Sequence, residues 1–433
     1  MILSLIIFFI TYALVITERI NRTAISVIGA GLMVLLGLIP TETAMGFIDL
    51  DVIFLLIGMM LVVEVLQTTG IFEWTAIWIA KKARGNPMFI IPGVLATTAL
   101  LSAFLDNVTT VVLVSPICIL IAQILEIPAV PFLAYLALYS NLGGTATLIG
   151  DPPNILIASK AGLRFHDFII YLTPIVLLII GACLVLVWLH FHRSAVVPAQ
   201  VRQRFIKASP ELAITDAVRL KRGLIVFGLV LLGFFFSPLI HVEVGIIALT
   251  GGFVMVAVCG EDIRTALERV EWEVILLLIG LFVLVGTLEH QGVFELISRH
   301  LTAHFASRPV ALAQIILWGG AILSALFGNI PVVIALNPLI STLSGEMEMV
   351  SGHAGWVLWW SLALGTCLGG NGTLYGAAAN VVTSQIAHRN GYQISYGRFL
   401  QYALPVTVVS LLISSLYIYF LQQNVATIFG HIP

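Results

Sequence analysis

Residues 143–154 read GGTATLIGDPPN, and residues 369–380 read GGNGTLYGAAAN. Each is an apolar run interrupted in its middle by paired glycines, and the first also by paired prolines. Such pairs break a helix within one span. Ahead of a break, a half-helix ends in unpaired carbonyls, which favour a cation. Behind it, the next half-helix begins with unpaired N–H groups and a positive dipole end, which favour an anion. Polar groups crowd the same places: Asn141, Gly143, Gly144, Thr145, Thr147, Asp151 and Asn154 in the first copy, Asn371, Gly372, Thr373 and Asn380 in the second. That density points to a binding site more than to a kinked structural helix.

The match extends outward. Residues 52–58 read VIFLLIG and 274–280 read VILLLIG; Gly70-Ile71-Phe72-Glu73 pairs with Gly292-Val293-Phe294-Glu295; Asn107 and Pro116 pair with Asn329 and Pro338. Four ordered matches indicate an internal duplication. The chemistry of the copies differs. Asp106 pairs with Gly328, Thr109 with Pro331 and Asp151 with Ala377, so the acidic groups lie in the first half only.

The composition supplies the solvent. Charged residues make up 10% of the 433-residue chain and hydrophobic residues 60%, with a mean hydropathy of +1.08. Soluble proteins carry roughly 25% charged residues, so lipid must cover most of this surface. The net charge of −2 and the lack of a basic tract leave nucleic acid without a footprint. Cys118, Cys183, Cys259 and Cys367 lie in apolar stretches without C-x-x-C spacing and read as small buried hydrophobes. The histidines form no zinc pattern. The N-terminal stretch lacks a basic region and a cleavage site, so it reads as a first span.

Spans of about 20 apolar residues are expected at 2–17, 23–39, 51–68, 129–150 and 167–190, then at 223–239, 242–259, 273–288, 356–378 and 398–420. Stretches 88–125 and 309–345, interrupted by polar residues, read as re-entrant hairpins. The hairpin tip Asp106-Asn107-Val108-Thr109-Thr110 is expensive at membrane depth unless it lines a cavity or binds something. The expected architecture is an all-α polytopic membrane protein, an inverted repeat of five transmembrane helices each, with two re-entrant hairpins and two broken helices (129–157 and 356–382). The first repeat is 1–192 and the second 223–433. The linker 193–222, rich in Arg and Lys, belongs in the cytoplasm. That placement also brings Arg19, Arg22, Lys81, Lys82 and Arg84 inside and both termini outside. Stretches 71–84 and 293–304 suit helices in the membrane interface or ordinary connectors. Glu64 and Glu289, near span ends, read as snorkelling or capping residues.

FLDNVTTVVLVSP (104–116), GGTATLIGDPPN and LGGNGTLYGAAANVV (368–382) resemble the ion transporter superfamily. The closest branch holds the pigment-cell P protein, arsenical-pump membrane subunits and sodium–proton antiporters of the NhaD type; divalent anion–sodium symporters are more distant. Those symporters carry Ser-Asn-Thr at both hairpin tips, whereas here only Asn107 and Asn329 match. The resemblance implies an elevator-like transporter, a homodimer, with hairpin tips and broken helices around substrate and coupling ion.

The leading expectation is therefore an ion-coupled secondary transporter of a small anion, such as arsenite or a carboxylate, in the inner (plasma) membrane. Its coupling ion is Na+ or H+, with sodium near Asp106, Asn107 and Asn329, and no further cofactor. Asp106 is the first choice for coupling, against the alternative that it only caps its helix. A sodium–proton antiporter is the rival in the same class, and a passive anion channel the rival from another. H-E-x-x-H, G-x-S-x-G and P-loop patterns are absent from the sequence, so neither an enzyme nor a built-in ATPase is expected.

Overall fold

The computed structural model describes residues 1–17, 20–192, 209–305, 307–351 and 354–424. These residues form helices and turns and, among themselves, no strand. The first half holds α1 (Ile2–Thr17), α2 (Arg22–Leu35), α3 (Thr41–Gly46), α4 (Leu50–Gln67), α5 (Ile71–Lys82), α6 (Pro87–Ser102) and α7 (Asn107–Leu125). It continues with α8 (Ala129–Gly144), α9 (Pro152–Ala161), α10 (Phe165–Tyr171) and α11 (Thr173–Phe191). The second half holds α12 (Ala217–Ile240), α13 (Val244–Cys259), α14 (Ile263–Glu268), α15 (Trp272–His290) and α16 (Val293–Phe305). Then follow α17 (Pro309–Phe327), α18 (Asn329–Ser351), α19 (Ala354–Gly369), α20 (Ala378–Arg389) and α21 (Tyr396–Gln423).

The duplication seen in the residues recurs in the helix starts. Arg22 and Val244, Thr41 and Ile263, Leu50 and Trp272, Ile71 and Val293, Pro87 and Pro309, and Asn107 and Asn329 open corresponding helices at one constant spacing. Packing repeats with it. α4 packs on α13 as α15 packs on α2, and α6 packs on α8 as α17 packs on α19. The ends of α4 are fixed by two contacts. Asp51, in its first turn, accepts from Gly245 N at 2.7 Å, and Glu64, near its last, pairs with Arg269 just ahead of α15.

Several boundaries differ from the sequence expectation. The first broken span stops at Gly144, at the paired glycines, rather than running to 150; there α8 crosses α6 so closely that a Cβ on Gly143 would lie 2.0 Å from the carbonyl oxygen of Ala99. The expected span 167–190 is two helices, divided ahead of Pro174. Residues 193–208 of the expected linker lie outside the described residues, as do Glu18, Arg19 and 425–433. Residues 209–222 of the linker are described. Thr215 N donates to Thr69 O at 3.1 Å, Asp216 caps α12, and that helix starts at Ala217 rather than 223. The four cysteines are free and buried.

Eight of the described helices are long and apolar enough to cross a membrane, α7, α17 and α18 among them. In α12 many apolar side chains are exposed, as lipid contact requires. By contrast α8 is buried at every position except Val130. It is the centre of the molecule, and it carries Ser140 and Asn141.

Candidate functional site

The first hairpin turns at 103–106. Asp106 is the N-cap of α7: Oδ1 accepts from Val108 N at 2.7 Å, Oδ2 from Thr109 N at 3.1 Å, and the Thr109 hydroxyl also donates to Oδ2. Thr110 returns its hydroxyl to Asp106 O at 2.9 Å. Both threonines thus close the tip on itself, and the Asp106 carboxylate is spent largely on capping. The second hairpin turns on Gly328 alone, at φ +85°, where a side chain would be strained. Its Asn329 donates from N to Gly376 O at 3.2 Å and accepts from Ile330 N at Oδ1, 2.9 Å.

Each break is held by an asparagine. Asn154 Nδ2 donates to Gly144 O, Thr145 O and Thr147 O at 3.3, 3.1 and 2.8 Å. Its counterpart Asn380 donates to Gly370 O and Thr373 O at 3.0 and 2.9 Å. These amides replace the helical partners that the break removes. The Thr147 hydroxyl donates to Ala103 O, and the Thr373 hydroxyl to Ala325 O, so each break is also tied to its own hairpin. Thr145 returns its hydroxyl to Asn141 O.

The halves meet on buried amides. Asn107 Nδ2 donates to Asn141 Oδ1 at 3.0 Å, and Asn141 Nδ2 reaches Asn371 Oδ1 at 2.8 Å and Asn380 Oδ1 at 3.0 Å. Asn371 Nδ2 donates to Leu138 O. On the other side Asn329 Nδ2 lies 3.3 Å from both oxygens of Asp151. Asp151 is 1% exposed, and its side chain caps no helix. Asn107, Cys367 and the charge of Asp106 are close enough to act on it.

A cavity of about 870 Å³ opens on these groups. Of the expected site residues, Asp106, Asn107, Asp151 and Asn329 line it. The others form the frame behind: Gly143 and Gly144 close against neighbouring backbone and Gly372 against the side chain of Ala325, the remainder through the bonds above. The opposite wall comes from α1, α2, α4 and the start of α15. It brings Arg22, Glu271 and Glu273, which the sequence reading did not single out, along with Met60 and Val274. Thr23 Oγ1 donates to Glu273 O at 2.9 Å and fixes that corner. The duplication held the missing signal: Glu271 and Glu273 stand where the first half has Asp49 and Asp51, an acidic pair opening a span.

The two helix starts facing the cavity differ chemically. In α9 the first two helical residues are Pro152 and Pro153, which have no N–H, and Asp151 sits ahead of them. The helix start after the first break therefore lacks its first two N–H donors. In α20 the first two residues are Ala378 and Ala379, whose N–H groups have no intrahelical partner, and Ala377 provides no side-chain cap. Ala377 and Ala378 line the cavity. Among the described residues no three His, Cys, Asp or Glu side chains converge as a metal-ligand group.

A family model described as a citrate transporter matches residues 12–365, and one described as the transmembrane region of a sodium:sulfate symporter matches residues 321–429. An uncharacterized transporter of Mycobacterium tuberculosis is 39% identical over 96% of this chain and 98% of its own. A 46 kDa membrane protein of Mycobacterium leprae is 36% identical over the same shares. The human P protein is 30% identical over 94% of this chain but 58% of its own length. The crystal structure of the Alcanivorax borkumensis YdaH transporter shares the fold, with a TM-score of 0.62 and 18% identity over 93% of this chain and 90% of that one. This chain is thus a multi-pass transporter of the cell membrane, a member of the citrate transporter family within the ion transporter superfamily.

Proposed function

We propose that the protein carries a small anion, a carboxylate in the first place, together with a coupling cation, by elevator-like alternating access. One observation carries this reading. A single cavity has the carboxylate of Asp151 in one half and, at the matching point of the other half, the uncapped start of α20. The first suits Na+ or H+, since the buried carboxylate of Asp151 lies near the half-buried one of Asp106, and a cation or proton relieves their repulsion. The second suits an anionic group. The citrate and sulfate models matched by the chain agree with an anionic substrate.

In this reading 1–192 and 223–433 are inverted repeats joined by a cytoplasmic linker. The hairpins and broken helices move as one body against α1–α4 and α12–α15, and a second copy joins through the static helices. The antiparallel ends of α4 and α15 support the inversion: Glu64, late in α4, meets Arg269, ahead of α15. With Arg22 inside, the cavity opens to the cytoplasm.

Uptake into proteoliposomes tests this, with sodium and proton gradients imposed separately against citrate, smaller carboxylates, sulfate and arsenite. Accumulation of an anion driven by either gradient is expected. A second reading, sodium–proton antiport, is favoured by the lining itself, where four carboxylates face one arginine. It predicts sodium-driven proton movement with no anion present. Flux that only dissipates gradients would make the protein a channel and sink both.

A further inference from the structure

The cavity is open along one edge of the moving body and closed along the other, and the closed edge is fastened. Lys160, late in α9, pairs with Glu289, late in α15, at 2.7 Å. The adjacent Ser159 hydroxyl donates to Asp49, the N-cap of α4. Only a residual space of about 240 Å³ remains there, lined by Asp49, Leu156, Lys160 and Glu289. α9 packs on α4 and α15 packs on α18, whereas the corresponding pairs, α20 with α15 and α7 with α4, make little contact. The open cavity occupies the place of those missing contacts.

The internal duplication names what would meet there. Asp49 corresponds to Glu271, Leu156 to Val382 and Phe282 to Met60. Leu156 and Phe282 border the closed space; Glu271, Val382 and Met60 border the open one. Ser159 and Lys160 correspond to Gln385 and Ile386, and Glu289 corresponds to Gln67. If repeats exchange conformations, the Ser159–Asp49 bond becomes a Gln385–Glu271 bond. The Lys160–Glu289 ion pair has no equivalent, because Ile386 and Gln67 form none.

We infer that Lys160–Glu289 and Ser159–Asp49 latch the cavity-open state, and that Glu271 and Gln385 are positioning residues that meet when the cavity closes. The inference rests on the alternating-access reading. Its consequence is a built-in bias: one state has an ion pair that the other lacks. The pair is about one-third exposed on each side, and exposed pairs are modest, so removing it shifts the ratio of states by about two- to fivefold.

The test uses the reconstituted full chain with paired cysteines. Lys160→Cys with Glu289→Cys, and separately Gln385→Cys with Glu271→Cys, should each form an oxidant-dependent cross-link. The Lys160/Glu289 lock should stop net transport until it is reduced. In addition, Glu289→Gln should slow maleimide labelling of Val274→Cys, by at most about fivefold, and the swap Lys160→Glu with Glu289→Lys should restore it. Labelling unchanged by Glu289→Gln overturns the latch. Failure of the Gln385/Glu271 pair to cross-link, under conditions in which the Lys160/Glu289 pair cross-links in folded, reconstituted protein, overturns the positioning role and leaves alternating access standing. Both cross-links closing in one molecule while flux continues would remove alternating access itself.

Discussion

Asn141 and Asn380 join the two halves of the protein: Nδ2 of Asn141 donates to Oδ1 of Asn380 at 3.0 Å, while Cys367 and Asn154, at the corresponding positions, make the mate contact at 3.5 Å. A thiol stands where the first half has an amide, and one side of the junction is weaker for it. Asn380→Ala should lower the midpoint of thermal unfolding in detergent, by the equivalent of about 1–3 kcal/mol for the buried groups left unpaired. Cys367→Ser should be tolerated. A midpoint unmoved by Asn380→Ala would mean that water satisfies those carbonyls.

The matched hairpin asparagines test the site directly. Asn107 and Asn329 both line the cavity, yet they bond differently, Asn107 to Asn141 and Asn329 to Asp151. Asn107→Ala and Asn329→Ala should each abolish uptake while leaving a folded, membrane-inserted protein. Near-normal uptake in both would reduce the tips to structural turns.

The topology has its own test. A cysteine placed within 193–222 should be labelled only from the cytoplasm, and one at Pro433 only from outside, because each half crosses the membrane an odd number of times in the inverted arrangement. Labelling of both from the same face removes that arrangement.

The breaks and the tips were legible in the sequence because Gly, Pro and Asn at membrane depth have few other uses. Their division of labour was not. Thr109, Thr110 and Thr145 read as ligands, but a hydroxyl near an unpaired backbone carbonyl or carboxylate turns inward first. The start of α9 read as an anion site until Pro152 and Pro153 are counted as missing donors. Arg22 read only as a marker of the inner side, and Glu271 and Glu273 escaped notice, because all three sit at span ends, where charge is ordinary. Only the packing of α15 beside α2 turns them into a cavity wall.

Asp106 and Asp151 divide the coupling question between them. Both line the cavity, and a carboxylate there can hold sodium when ionised or a proton when neutral. Asp106 already accepts from two backbone N–H groups and a hydroxyl, bonds that an asparagine oxygen can largely replace. Asp151 caps nothing and meets side chains alone, the amide of Asn329 foremost, so its charge is available to an ion. Asp151→Asn should therefore keep substrate exchange while net transport stops responding to imposed sodium and proton gradients. Asp106→Asn should keep the response to both gradients and lose about 0.5–2 kcal/mol of stability, as cap substitutions do. Exchange and driven uptake measured side by side on the two variants decide it. A gradient response lost in Asp106→Asn and kept in Asp151→Asn would transfer the coupling role to the hairpin tip.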